Sequence, residues 1–142
     1  MSLKDEFNEV NPKRSISPVS FSSNTALVGQ IIDNKGYGAL TYVIAVGTAG
    51  TAGATYTVTL DEGNASDLSD ASAVAATDLI GTLALASFTG NDADKTRKLG
   101  YKGSKRYTRL TITPAGNSAA AVVGVVALQD EADIQPAANP PV

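Results

Sequence analysis

Seven of the 11 basic residues, Lys95, Arg97, Lys98, Lys102, Lys105, Arg106 and Arg109, fall between positions 95 and 109 of a 142-residue chain whose formal net charge is -3. Clustered ammonium and guanidinium groups hold oxyanions: the carboxylates of another protein or, less readily from so short a run, phosphates. Tyr101 and Tyr107 add two amphipathic rings of the kind that anchor interfaces. Tyr101, Lys102, Lys105, Arg106, Tyr107 and Arg109 are therefore the candidate interface. The competing reading is an ordinary solvated edge, where positive side chains keep a strand from pairing with strangers. A nucleic-acid groove needs basic residues along a track with several stacking rings, so direct nucleic-acid binding is not expected from one turn.

Other chemistry finds less material. The chain has neither cysteine nor histidine. Disulfides, thiolate metal sites, histidine ligands and histidine general bases are thereby excluded from it. Asp61, Glu62, Asn64, Asp67 and Asp70 crowd together, but their spacing misses the calcium-loop pattern, and a solubilising turn explains them as well. The same acids could complement the basic turn of an adjacent copy and so build a cyclic assembly. Ser15, Ser20 and Ser22 have no base partner, and no GxSxG or SxxK arrangement supports them. GTAGTAG, residues 47–53, lacks the lysine of a phosphate loop and reads as a flexible connection. The expectation is a protein that is not an enzyme and has no cofactor or metal.

The elements that must carry the basic turn read as strands. In GYGALTYVIAVG, Leu40, Tyr42, Ile44 and Val46 share one face, while Thr41, Val43 and Ala45 on the other are hardly more polar. That suits a central strand or one covered by a neighbour. ATYTVTL alternates cleanly, with Tyr56, Val58 and Leu60 opposite Thr55, Thr57 and Thr59. Thr108, Leu110 and Ile112 do the same, and AAAVVGVVAL follows after Pro114 and Gly116-Asn117. These last two runs are expected to pair as a hairpin. Ala26, Val28 and Ile31 suggest a first strand ended by the Asp33-Asn34-Lys35-Gly36 turn. Residues 66–79 read as an irregular excursion with one short helix, and 79–88 as a further strand.

The ends differ from this pattern. Residues 1–24 are serine-rich and interrupted by Pro12 and Pro18, so they read as an extended N-terminal arm. Val10, Ile16, Val19 and Phe21 could anchor it on another surface. Residues 130–142 read as a peripheral proline-containing tail. Between them, residues 25–129 hold six to eight strands and no long helix. The expected fold is all-β: a single antiparallel β-sandwich or jelly-roll-like domain. Hydrophobic residues make up 43% of the chain but aromatics only 6%, which predicts a thin core built on Val, Leu and Ile. The charged start and the absence of 18 consecutive apolar residues lead to the expectation of a soluble protein without a secretory signal or membrane span.

The ordered segments GQIIDNKGYGALTYVIAVGTAG, YTVTLDEGNASDLSDASAVAATDLIGT and KLGYKGSKRYTRLTITPAG resemble small structural proteins encoded in the head-morphogenesis regions of tailed bacteriophages. The likeness spans residues 25–128. It implies a non-enzymatic, multimeric virion protein that decorates or stabilises the capsid, assembled in the host cytoplasm. Its partners would be the major capsid protein, other virion subunits and further copies of itself. A head–tail connector or tail structural protein is the alternative within that class. A carbohydrate or host-surface binding module is the alternative outside it.

Overall fold

Alternation in the sequence becomes two facing sheets. A computed structural model describes residues 5–141; Met1–Lys4 of the expected arm and Val142 of the expected tail lie outside the described residues. The long strands are β1 (Asn11–Phe21), β4 (Tyr37–Ala49), β5 (Thr55–Gly63), β9 (Thr96–Tyr101), β10 (Tyr107–Ala115) and β11 (Ala121–Ala132). Two-residue strands complete the set: β2 (Leu27–Val28), β3 (Ile32–Asp33), β6 (Ser72–Ala73), β7 (Leu79–Ile80) and β8 (Phe88–Thr89). A 3-10 turn at Ala76–Asp78 and one four-residue helix, α1 (Leu83–Ala86), lie between them.

The first sheet has the order β1-β11-β4-β9-β7 and the second β2-β10-β5-β6, with β3 joined to β10 and β8 to β5. Every pairing is antiparallel. The chain is thus an all-β sandwich. Its core lies between the sheets, where the inward residues of β4 (Leu40, Tyr42, Ile44, Val46) meet those of β5 (Tyr56, Val58, Leu60) and β10 (Leu110, Ile112). The rare aromatics are concentrated there: Tyr56 stacks on Phe88 at 4.7 Å between centroids and takes the edge of Phe21 at 6.0 Å. The core is therefore more aromatic than composition suggested.

Polar ties cross it. The hydroxyls of Tyr42 on β4 and Thr108 on β10 lie 2.6 Å apart. The Tyr101 hydroxyl on β9 donates to Glu62 Oε2 on β5, also at 2.6 Å. Buried hydroxyls and carboxylates are tolerable only when paired, so these contacts fix how the sheets register.

Several expectations give way to different geometry. Residues 11–21 are not an arm separate from the domain: they form β1, paired along β11 from Asn11↔Gln129 to Phe21↔Ala121. Pro12 and Pro18 are accommodated because β1 is an edge strand with irregular register, where a missing N–H can face outward. Ile16 is buried, and Val19 and Phe21 pack on the same core, so these anchors hold the segment to its own sandwich; Val10 is half-buried just before β1.

β10 and β11 do not form a hairpin. They belong to different sheets, and residues 116–120 cross between them. Asn24 secures the crossing, accepting from Asn117 N–H at 2.8 Å and donating to Asn117 C=O at 3.1 Å. The Asn117 side chain in turn accepts from Thr51 N–H.

Residues 79–88 are not one strand. Gly81 sits at φ +89°, in the left-handed region that glycine enters without strain, and Thr82 then caps α1 through Leu85 N–H. β9, whose TRKLGY lacks clean alternation, was not anticipated. β11 continues to Ala132, so the tail begins three residues later than expected.

Candidate functional site

The segment Lys102–Arg106 links β9 to β10 and is fastened at successive points. Lys102 N–H donates to Asp78 C=O at 2.9 Å. Lys105 N–H donates to the Tyr101 hydroxyl at 3.1 Å, and Arg106 N–H to Asn64 Oδ1 at 3.2 Å. Gly103 lies against the Tyr101 ring so closely that a Cβ there would stand 2.5 Å from the hydroxyl. Arg106 is held by a bidentate pair to Asp33, Nε to Oδ1 at 2.8 Å and Nη2 to Oδ2 at 2.9 Å, and its guanidinium lies over the Tyr107 ring. That pair holds the Asp33 carboxyl below its ordinary range and raises Arg106.

The turn therefore differs from the surface the sequence suggested. Tyr101 is only 5% exposed, so its ring supplies no interface contact; it is the peg on which the basic segment hangs. Burial, with the neighbouring Glu62, pushes its hydroxyl well above the usual tyrosine range. Tyr107 is half-buried beneath Arg106. Arg109 stands opposite Asp61 on the outer face of the second sheet. Lys102 and Lys105 are exposed and take part in no ion pair among the described residues. Lys95 and Arg97 both engage Asp92, at 3.1 and 3.0 Å.

The segment walls a depression of about 360 Å³ with the Asn34–Lys35 turn and the start of β4. Lys35, Lys102, Lys105 and Arg106 line it beside Tyr37, and no carboxylate does. Glu131 lies over Gly38 at its border without reaching an ion pair. Lys35 and Tyr37 were not among the expected residues; the approach of the 33–37 turn to the 102–106 segment is a tertiary fact that spacing does not reveal.

The acids of residues 61–70 are occupied locally. Asp70 accepts from Asn64 and Ala65 N–H, and Asp67 from Ser69 N–H, contacts that lower both carboxyls. Asn64 Oδ1 also accepts from Arg106 N–H, and Asp70 lies near enough to Lys105 of the same chain for that charge to help lower its carboxyl, without an ion pair. No group of three metal-binding side chains converges among the described residues.

A second surface is defined by the outer face of the first sheet. On β4 it presents Ala39, Thr41, Val43, Ala45 and Gly47; on β11, Val122, Gly124, Val126, Leu128 and Asp130. Val43 and Val126 sit side by side in one row, with Arg14 of β1 and Lys98 of β9 at its two ends. At ~4.8 Å between strands, those cations bracket about 14 Å of mostly apolar sheet. Val126 is 41% exposed, and Ile80 (60%) and Leu85 (74%) extend the patch beyond β9. A solvated antiparallel face ordinarily alternates to polar residues, and this one does not.

No protein-family model and no curated protein matches the chain. Solved structures match its shape. A structure of infectious bursal disease virus, Gx strain, is similar over 84% of this chain and 31% of its own, with 13% identity and a TM-score of 0.50. A Clostridium thermocellum xylanase 10B structure (CBM22-1 and GH10 modules with xylohexaose) is similar over 97% and 29%, with 13% identity and a TM-score of 0.45. Latent PorU of Porphyromonas gingivalis is similar over 86% and 13%, with 14% identity and a TM-score of 0.43. The chain thus spans about three-tenths of the first two proteins or less of the third. At such identities the likeness concerns the sandwich fold alone.

Proposed function

We propose that this chain is a non-enzymatic structural protein of a virion that docks on assembled subunits and strengthens the shell. The observation that carries this reading is the uncovered outer face of β4 and β11. The inner face of β4 is fully used by the core, yet Val43, Ala45, Val126 and Leu128 face outward, Ala45 and Val126 exposed and Val43 and Leu128 half-buried. A broad apolar face of this kind is worth most when a partner covers it. Binding to the assembled state alone would stabilise that state by linkage, with no catalytic step. Many equivalent sites on one particle would add avidity.

The test is to add the purified chain to particles that lack it and measure sedimentation with them. Val43→Glu combined with Val126→Glu should abolish association while leaving the fold intact, because both side chains point away from the core and Val126 is exposed. Undiminished association would remove this face from the account. A connector or tail protein would use the same face but give a ring or tube of the purified chain.

A carbohydrate or host-surface binding module is the second reading. The half-buried Tyr37 ring beside the depression, with Asn34 and Ser104 as polar neighbours, favours it. Saturable binding of a glycan that Tyr37→Ala abolishes would support that alternative.

A further inference from the structure

We infer that the depression between the 33–37 turn and the 102–106 segment is a pre-organised receptor for an acidic peptide segment of a partner protein. It adjoins the apolar sheet face at Ala39 but is lined by different residues. Its three lysines, Lys35, Lys102 and Lys105, carry no ion-pair partner among the described residues, and no carboxylate lines the space they share. Asp33 lies near Lys35 and Asp70 near Lys105, but neither carboxylate comes within ion-pair distance of these lysines, so an anion entering the depression meets three unpaired ammonium groups at once.

The backbone that presents them is not free to spread. Tyr101 is the centre of the fastening: its hydroxyl donates to the buried Glu62, accepts from Lys105 N–H, and its ring receives Gly103. Asp78 C=O, Asn64 Oδ1 and the Asp33 carboxylate hold the remaining points. A site whose backbone is ordered before binding loses less entropy when the ligand arrives.

The character of the cations selects the anion. Arg106, whose planar fork suits phosphate, has its Nε and Nη2 committed to Asp33. What remains free is lysine, a set of mobile point charges suited to carboxylates spaced along a flexible chain. Tyr37, Gly38, Ala39 and Leu40 make the adjoining wall, which gives a peptide apolar surface to lie on. A nucleic-acid strand would need cations continuing along a track, and these are confined to one depression.

The experiment is calorimetric titration of the full chain with an acetylated octaglutamate peptide, with inorganic phosphate and a short single-stranded DNA as competing probes. At near-physiological salt, ~0.15 M, diffuse surface attraction is largely screened. The expected result is saturable one-to-one binding of the peptide, weakened about tenfold or more by Lys105→Glu. Lys98→Glu makes the same charge change on the outer sheet face and should leave binding unchanged. Tyr101→Phe keeps every charge and should weaken binding by loosening the segment. Melting curves on each variant confirm that it is folded.

Absence of peptide binding overturns the inference. So does equal weakening by Lys105→Glu and Lys98→Glu, which would mean a diffuse field rather than a site. Tighter binding of phosphate or DNA overturns the choice of ligand. An unchanged affinity in folded Tyr101→Phe overturns the pre-organisation. The assay contains no particle, so its failure would leave the sheet-face reading standing.

Discussion

Replacing Tyr101 by Phe removes one hydroxyl and keeps the ring that fills the space beside Gly103. That hydroxyl is the hydrogen-bond donor to Glu62 Oε2 at 2.6 Å, and it accepts from Lys105 N–H at 3.1 Å. Glu62 is 8% exposed, so its carboxylate cannot simply turn to water. A hydrogen bond to a charged group contributes about 1.5–3 kcal/mol, and stranding the buried partner keeps the loss near the upper end of that range. With unfolding entropy of ~2.1 cal/mol/K per residue, a chain of this size loses about 3–4 °C of Tm per kcal/mol, so a fall of roughly 7–10 °C is expected. Glu62→Gln still offers a carbonyl to the hydroxyl and should cost about 1 kcal/mol. The double variant should cost clearly less than the sum, because both substitutions act on one contact. Thermal and urea unfolding of the four proteins, with amide exchange at Lys105, completes the cycle. A fall of Tm under about 2 °C in Tyr101→Phe, or strict additivity, would refute the peg.

Other outcomes follow from the same geometry. Asn24→Ala releases both backbone groups of Asn117, which is 4% exposed, and should cost about 1–2 kcal/mol in urea unfolding. Asp92 accepts from Thr89 N–H and from Lys95, which brings its carboxyl from 3.8 down to about 2. Its folded value is depressed, so its contribution is present above pH 3.8 and is lost as pH falls through about 2; Asp92→Asn should flatten that acid limb of the stability profile. Tyr42 and Tyr101 are raised above the ordinary 10.0 by burial. Their contribution is present below pH 10.0 and declines as alkaline pH forces ionisation, so tyrosinate absorbance should show these two titrating late, with unfolding.

Where the sequence alternates, its reading matches the structure closely. Leu40, Tyr42, Ile44 and Val46, then Tyr56, Val58 and Leu60, then Leu110 and Ile112 are the core, because period-two patterning is imposed by burial of one strand face. The outward side of β4 was legible too: Thr41, Val43 and Ala45 alternate with the core residues and face away from the core.

Pairing was less visible. β10 and β11 are close in sequence, yet the Asn24–Asn117 contact carries the chain across to the other sheet. β1 was hidden by its prolines, which an edge strand tolerates. β9 lacks alternation because Gly100 must lie under Ile80, and a Cβ there would come within 2.8 Å of it. At the basic turn, residue types identified the charge correctly but not its use. Arg106 is spent on Asp33 and Tyr101 faces inward, while Lys35 and Tyr37 join from a turn distant in sequence. Long-range partners of this kind leave no local signature.

The proposed role is tested most directly by cryo-electron microscopy of the particle that carries this protein. The account predicts density for the sandwich repeated over the shell, with Val43, Ala45, Val126 and Leu128 covered by a neighbouring subunit. Density confined to a portal, tail or fibre, or an outer β4–β11 face left open to solvent, would contradict it.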